Sequence, residues 1–209
     1  MRIGFSGHRP NRLKIGAAQL SELLREVLSA IAGGARASDP DAPVVALSAL
    51  AEGADRVFAE VALSLGYSLH ALLPFPSADY ETTFADPTTT ASYRRLLGGA
   101  ATLIELPGTL ALSTAAYEAV GRATVDACEL FLTVWDGEAA AGRGGTTEII
   151  AYALANRRPT LWIDASRPRA PMRLLGVEPL PDAKALQAAD IAAIASAISA
   201  LQLSGQRPG

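Results

Sequence analysis

The sequence predicts an α/β fold: a doubly wound, mostly parallel, Rossmann-like sheet with helices on both faces. Short, continuously apolar runs alternate along the chain with longer segments whose apolar residues recur at helical spacing. Continuous apolar runs are typical of parallel strands buried on both faces, and the alternation is typical of strand-helix-strand units. The chain has 209 residues, 50% of them hydrophobic, which is enough for one large core. We therefore expect one domain over residues 1–203 and a frayed tail over 204–209.

The first part of the chain alternates between strand and helix. The run RIGFSG (2–7) predicts the first strand, and the following helix has one apolar face formed by Leu20, Leu24, Val27 and Ile31. The next predictions, in order, are a strand at 42–50, a helix at 53–66 that is closed by glycine, and a strand at 67–74.

A proline- and threonine-rich insertion over 75–100 interrupts the alternation. Its length predicts a lid or a pocket wall. Its aromatic residues Tyr80, Phe84 and Tyr93 could stack on a base, although a place in the core is the safer interpretation for Phe84.

The alternation resumes after the insertion and runs to a last apolar helix. That helix has Ile191, Ile194, Ile198 and Leu201 on one face, and we expect it to pack back on the sheet. Between the insertion and this helix, the pattern predicts strands at 101–107, 130–137 and 159–164 and helices at 114–128 and 146–157.

Charge and composition exclude several classes of protein. The net charge of −3 and the isoelectric point near 5.4 argue against a broad basic surface, so nucleic acid is an unlikely partner. No uncharged apolar run is long enough for a membrane helix, and no signal peptide is evident, so we expect a cytoplasmic protein without a membrane partner. The single cysteine, Cys128, lies in an apolar periodic stretch and is predicted to be a core residue. No cofactor and no metal site are predicted.

The stretch GRGGTTEII (142–150) lies between a predicted strand and a predicted helix. Backbone N–H groups near glycines can approach an anion, and the positive end of a helix dipole favours phosphate. Gly144 and Gly145 would supply the close approach, while Thr146 or Thr147 would cap the helix and offer a hydroxyl. The stretch has neither the Lys-Ser/Thr pair of a Walker A loop nor the place of a dinucleotide loop after the first strand, so an NAD site is not indicated. A flexible turn without a ligand is the alternative.

Glu148 lies in the first turn of the same predicted helix, and two roles are open for it. A carboxylate at this position stabilises the helix dipole and can complete a cap. A carboxylate beside a bound phosphate could instead bind a ribose hydroxyl, or act as a general acid or base when a base departs.

Three further loops follow predicted strands, at the edge of the sheet where ligands bind in such folds. His8 and Arg9 in SGHRP are potential phosphate donors, although His8 could instead form an orienting hydrogen bond and Arg9 could be a solvated charge. Asp136 could accept hydrogen bonds from a sugar or merely fix its turn. Asp55 could contact a ligand or only stabilise a helix dipole. The loop SALAEGAD, which contains Asp55, also offers Ser48, Glu52 and Gly53.

Two of these stretches resemble known families. SALAEGADRVFAEVAL resembles the S-G-L-A-x-G-I-D-x-x-A-H-x-x-A-L stretch of the DNA-processing protein A (DprA/Smf) family. GRGGTTE resembles the P-G-G-x-G-T-x-E-E loop of the LONELY GUY (LOG) phosphoribohydrolases, some of which are labelled lysine decarboxylase-like. Both families belong to the Rossmann-like SLOG superfamily, and GFSGHRP is similar to its first strand and loop. The resemblance covers about residues 1–165 and implies a nucleotide or nucleotide-derived ligand held by the glycine loop.

The resemblance also implies roles for single residues. Glu148 falls on the carboxylate that LOG-type enzymes use, together with an arginine, to cleave a base from ribose 5-phosphate. That arginine belongs to an R-K pair on the preceding helix, where Arg122 lies about two residues out of register, or roughly 200° around the helix. Arg143 lies in the loop, where those enzymes have a glycine. The related enzymes are commonly homodimers, so a homo-oligomer is expected.

Four functions are compatible with these observations. The leading hypothesis is a nucleotide-binding protein that needs only the phosphate site. The second is an N-glycoside hydrolase of nucleoside 5′-monophosphates, with Glu148 and Arg122 as candidate catalytic residues. The third is a single-stranded DNA-binding module, and the fourth is a scaffold whose pocket has decayed. The candidate nucleotide-binding residues are Gly7, His8, Arg9, Ser48, Glu52, Gly53, Asp55, Asp136, Arg143, Gly144, Gly145, Thr146 and Thr147.

Overall fold

Strands and helices alternate through the computed structural model, which describes residues 1–37, 39–84, 86–138, 145–167, 173–175 and 188–205. The strands are β1 (Arg2–Gly7), β2 (Val45–Ser48), β3 (Ser68–Leu73), β4 (Thr102–Glu105), β5 (Leu130–Trp135), β6 (Thr160–Asp164) and β7 (Arg173–Leu175). The helices are α1 (Ala17–Ala35), α2 (Ala54–Ser64), α3 (Ser77–Glu81), α4 (Pro87–Gly98), α5 (Ser113–Ala127), α6 (Thr146–Ala155) and α7 (Ala188–Gly205). Short 3-10 turns lie at Pro10–Arg12 and Leu110–Leu112.

The strands form one sheet in the order β4-β3-β2-β1-β5-β6-β7. Neighbouring strands are parallel from β4 to β6, and β7 is antiparallel to β6. The predicted α/β, Rossmann-like sheet is therefore confirmed. The short β7 was not predicted, because three residues at the edge of a sheet are too few to show a pattern.

Both faces of the sheet are covered, as the continuous apolar strands predict. Successive strand residues point to opposite faces. Ile3 and Phe5 of β1 belong to the core formed with α1, α2, α4 and α7. Gly4, between them, faces α5 so closely that an added Cβ would lie 2.9 Å from Sγ of Cys128. The second core lies on that side and includes Phe131 of β5.

The insertion over 75–100 contains α3 and α4, and Arg56 fastens it to α2. The Arg56 guanidinium lies 4.3 Å from the ring centroid of Phe84. Its Nε donates to the carbonyl of Leu50 at 3.1 Å, and its Nη1 donates to the carbonyl of Thr89. Tyr93 is buried beside them, so Phe84 and Tyr93 are packing residues. Tyr80 packs edge-on against both rings.

Helix α7 returns to the body of the domain and has α1 as its principal neighbour. Ile191 and Ala195 are buried in the core shared with the sheet, and Ile198 packs against it. Gly34 allows this approach, because a Cβ there would lie 2.0 Å from the carbonyl oxygen of Ala192. Helix α7 reaches Gly205, two residues beyond the predicted end of the domain. Among the described helices, none is long and apolar enough to cross a membrane.

Gly34→Ala and Gly33→Ala should change stability in opposite directions. Alanine improves on glycine in a helix interior by about 0.5–1 kcal/mol. An added Cβ meets no atom within 4 Å at Gly33, so that variant should be more stable. At Gly34 the clash with α7 should outweigh the gain and lower the free energy of unfolding by about 1–3 kcal/mol. Urea unfolding of both variants checks this, and equal stabilisation by both would contradict the close packing.

Candidate functional site

A cavity of about 330 Å³ opens beside the carboxyl end of β1. The chain winds from β1 through β2 and β3 to β4 on one side, and β5 and β6 lie on the other side of β1. Ligands of open α/β sheets bind at such a reversal of strand order. The walls come from the end of β1 and the loop after it, the loop after β2, the starts of α2 and α6, and from α3 and α5.

A tight corner fixes the β1 side of the cavity. The N–H of Ala54, the first residue of α2, donates to the carbonyl of His8 at 3.1 Å. A Cβ on Gly7 would lie 2.5 Å from Cβ of Ala54, and a Cβ on Gly53 would lie 2.6 Å from the carbonyl oxygen of His8. Gly53 also has φ of +99°, which L side chains rarely adopt. Both glycines are therefore required for the close contact between β1 and α2, although Gly53 itself is not a lining residue.

The start of α6 forms the opposite wall, with Gly145, Thr146 and Thr147 lining the cavity. The Gly145 carbonyl accepts the N–H groups of Glu148 and Ile149, at 3.0 and 3.3 Å. The N–H groups of the residues before these lie in the first turn, where a helix provides no carbonyl partner. The positive end of the α6 dipole therefore points to the cavity. Gly144 and Arg143 lie outside the described residues.

The hydroxyl of Thr147 is used to close the loop that precedes α6. It donates to the carbonyl of Glu138 at 3.1 Å and accepts a hydrogen bond from Nε1 of Trp135 at 3.0 Å. Trp135 Nε1 also lies 3.0 Å from the same carbonyl. These contacts join the end of β5 to the start of α6, so the hydroxyl of Thr147 is already used within the protein.

Asp136 ties the loop after β1 to the end of β5. Nε and Nη2 of Arg12 bind its two carboxylate oxygens at 2.9 and 2.8 Å. His8 Nε2 lies 2.9 Å from Oδ1, and the N–H of Glu138 donates to Oδ1 at 3.0 Å. Burial alone raises the pKa of Asp136, but the hydrogen bonds from His8, Glu138 and Arg12 lower it to about 2. Asp136 thus fixes a turn, and it is not among the described residues that line the cavity.

Asp55 is the only acid among the described residues that line the cavity. Its Oδ1 accepts the N–H of Gly7 at 3.0 Å, and only 4% of its surface is exposed. Burial raises the pKa of Asp55 to about 7. Hydrogen bonds from the N–H groups of Gly7 and Ala51 lower the pKa, as do the charges of Arg9 and Arg56, but burial has the larger effect. A carboxyl group with such a pKa in a cavity is a candidate for ligand contact.

Arg9 and two tyrosines line the cavity on the side of β3. The Arg9 guanidinium carbon lies 5.7 Å from the ring centroid of Tyr117, and the rings of Tyr117 and Tyr80 are 6.4 Å apart. Arg9 is exposed, and it forms no ion pair with any carboxylate of the described residues. Its charge is therefore available to an anion, whereas that of Arg12 is balanced by Asp136.

The structure brings only part of the predicted site together. Gly7, His8, Arg9, Asp55, Gly145, Thr146 and Thr147 line the cavity. Ser48 is buried behind it, where its hydroxyl accepts the N–H of Leu50 at 3.1 Å. Glu52 is half-buried and is not a lining residue.

The two candidate catalytic residues are not among the described residues that line the cavity. Arg122 is half exposed on α5, where it pairs with Glu118 and lies 5.0 Å from the ring centroid of Tyr152. Glu148 is half-buried in the first turn of α6. The carboxylate on the cavity wall is that of Asp55.

Sequence reasoning missed five polar lining residues: Ser6, Asn11, Arg12, Tyr117 and Thr124. Asn11 and Arg12 follow the recognised SGHRP loop directly, so a wider reading of that loop would have found them. Tyr117 and Thr124 lie four and eleven residues after the first residue of α5 (Ser113), and only the placement of α5 over β1 brings them to the site. Among the described residues, no group of three or more His, Cys, Asp or Glu side chains is placed to hold a metal ion.

Comparison with known proteins gives a structural likeness but no sequence match. No protein-family model and no curated protein matches the chain. DNA processing protein A (DprA) from Streptococcus pneumoniae is similar in structure, with a TM-score of 0.52 and 17% sequence identity over 79% of this chain and 53% of that chain. The two proteins share a fold. The Rossmann-like fold implied by the SLOG resemblance is thereby confirmed, and the chain spans about half the length of DprA (53%).

A second solved structure is more distant. TM1055, a Northeast Structural Genomics Consortium target, has a TM-score of 0.44 and 12% identity, over 76% of this chain and 71% of that chain.

Asp136→Asn should destabilise the protein at neutral pH but not at low pH. The pKa of Asp136 falls from 3.8 to about 2 on folding, so the carboxylate contributes roughly 2 kcal/mol above pH 4, and this contribution is lost as the pH falls through about 2. Urea unfolding at about pH 7 and about pH 2 measures the change. Glu81→Gln, which breaks an exposed ion pair with Arg94, should have little effect. Equal losses in both variants at pH 7 would contradict this role for Asp136.

Asp55→Asn should become more stable relative to the wild type as the pH rises. A raised pKa means that the folded state holds the proton more tightly than the unfolded chain, so wild-type stability falls between about pH 4 and pH 7 and then levels off. A shift from 3.8 to about 7 corresponds to roughly 4 kcal/mol. Free energies of unfolding of both proteins from pH 4 to pH 8.5 test this. A constant difference between them would show that the Asp55 pKa is not raised.

Proposed function

We propose that the protein binds a nucleotide or a nucleotide derivative at the cavity beside β1. The observation that carries this proposal is the meeting of two kinds of binding group in one cavity. The positive end of α6 at Gly145–Thr147 lies on one wall, and the half-buried aromatic ring of Tyr117, which packs against the buried Tyr80, lies on the side of β3. An anion suits the first group and a planar base suits the second.

The order of the strands supports one orientation of the proposed ligand. Helix α6 follows β5, and α3 follows β3, with β1 and β2 between them. The phosphate binds at the start of α6, the ribose crosses the end of β1 near Gly7, and the base lies toward Tyr117. Arg9 follows β1 and lies 5.7 Å from the ring centroid of Tyr117, and its exposed side chain supplies positive charge to the ligand.

The size of the cavity fits a single nucleotide. Small-molecule sites have volumes of about 300–1,000 Å³, and this cavity of about 330 Å³ is at the lower end of that range. A chain with a net charge of −3 can still bind a phosphate, because one exposed arginine and the positive end of one helix dipole are enough to attract it.

A DNA strand is the second candidate ligand, on the ground of the structural likeness to a DNA processing protein. The loop after β1 carries Arg9, Arg12 and Lys14, which would face a strand laid along the carboxyl edge of the sheet. Binding of an oligodeoxythymidine whose affinity falls steeply with salt, together with no stabilisation by mononucleotides, would favour this candidate.

Arg9→Ala should weaken nucleotide binding, whereas Arg122→Ala and Glu148→Gln should not. A charged hydrogen bond contributes about 1.5–3 kcal/mol, so we expect roughly a 10- to 100-fold loss of affinity for a nucleoside 5′-monophosphate. Arg122 is the matched control, because it is an arginine outside the cavity.

The measurement is thermal unfolding and calorimetry with the four common nucleoside 5′-monophosphates and their nucleosides. At a ligand concentration 100 times the dissociation constant, stability should rise by about 2.7 kcal/mol. Nucleosides without phosphate should bind more weakly. Full binding by Arg9→Ala, or loss of binding in Arg122→Ala, would contradict the proposed site.

A further inference from the structure

We propose that Asp55 binds the nucleotide as a neutral carboxylic acid that donates a hydrogen bond to the sugar or base, so that the protein takes up a proton when the ligand binds. This inference rests on the proposed nucleotide binding and adds to it the chemical form of one contact. It makes Asp55 a hydrogen-bond donor in the site, a property that an ionised carboxylate lacks.

The first support is the position of Asp55 relative to the phosphate site. Helix α2 follows β2 and α6 follows β5, and β1 lies between these strands. The start of α2, which contacts the end of β1, and the start of α6 line the same cavity. Phosphate and base lie on opposite sides of the ribose in a nucleotide. A ligand with its phosphate at Thr146 thus presents its sugar or base to Asp55.

The second support is the surroundings of the carboxyl group. The N–H group of Gly7 approaches it from the end of β1, and that of Ala51 approaches it from the loop after β2. The charged or titratable groups that face it are Arg9 from the loop after β1, Arg56 from α2 itself, and Tyr80 from α3. None of the described cations forms an ion pair with Asp55. The charges of Arg9 and Arg56 lower the pKa of Asp55 by less than burial raises it, so they do not hold the carboxyl group in its ionised form.

Burial then decides the form of Asp55 in the free protein. With a pKa of about 7, Asp55 is protonated in about half of the molecules at neutral pH. A phosphate ligand adds negative charge to the cavity and removes water from it. Both changes disfavour the ionised carboxylate and raise its pKa further. By linkage, the ligand must then bind more tightly to the protonated protein, and its affinity must fall as the pH rises above about 7.

The test compares pH 7.5 with pH 8.5, where the phosphate of a nucleoside monophosphate stays doubly ionised because its second pKa is near 6. The probe is whichever of the four common nucleoside 5′-monophosphates stabilises the wild type most. The dissociation constant of the wild type should increase roughly eightfold between the two pH values, close to the limit of tenfold per unit. Asp55→Asn should bind at both pH values with equal affinity, because a neutral amide can still accept from Gly7 and donate to the ligand.

A second measurement needs only the wild-type protein. Calorimetry at pH 7.5 in two buffers of different ionisation enthalpy should show uptake of about three quarters of a proton for each nucleotide bound, because with a pKa of about 7 roughly that fraction of Asp55 is ionised in the free protein. Binding that is equally tight at both pH values, binding without proton uptake, or the same pH dependence in Asp55→Asn would each overturn the inference and leave nucleotide binding intact. Failure of all four nucleotides to bind at either pH would overturn the proposed function, and the inference with it.

Discussion

The contact between the end of β1 and the first residue of α2 is the constraint on which the rest of the site depends. Gly7 and Gly53 have no side chains, so Ala54 comes close enough to donate to the carbonyl of His8. This contact places Asp55, the next residue, directly on the N–H of Gly7. Arg9 directly follows His8, whose carbonyl accepts this hydrogen bond, and lies in the loop after β1. The close contact at Gly7 and Gly53 thus positions both Asp55 and Arg9 on the cavity wall.

The charges around the cavity are divided between structure and binding. Arg12, His8 and Asp136 form a closed cluster that joins the loop after β1 to β5, and their interactions are internal. Arg9 and the start of α6 carry positive potential that no described carboxylate balances by an ion pair. Asp55 differs from these groups because it is an acid on the cavity wall. It is buried, and it belongs to none of the described ion pairs. The cavity wall therefore combines a frame held by internal ion pairs with two charged or titratable groups, Arg9 and Asp55, that belong to none of the described ion pairs.

The sequence predicted the sheet, the order of its elements and the edge at which the cavity lies, because hydrophobic period and loop composition are local properties. It also indicated Gly7, Arg9, Asp55 and the start of α6. It could not show that Arg12 meets Asp136, because that ion pair needs β1 and β5 to be neighbours although the residues are 124 positions apart. Burial of the Asp55 carboxyl was likewise not visible, since its surroundings come from β1, α2 and α3. Glu148 belongs to the motif GRGGTTE, but it is not among the described residues that line the cavity. Only the placement of α6 shows which residues of its first turn line the cavity.

The clasp formed by Trp135, Glu138 and Thr147 has a consequence for the cavity wall. Its three hydrogen bonds join the end of β5 to the first turn of α6. The position of that turn is therefore set by the sheet, and Gly145 and Thr146 are held on the cavity wall by contacts that they do not themselves make.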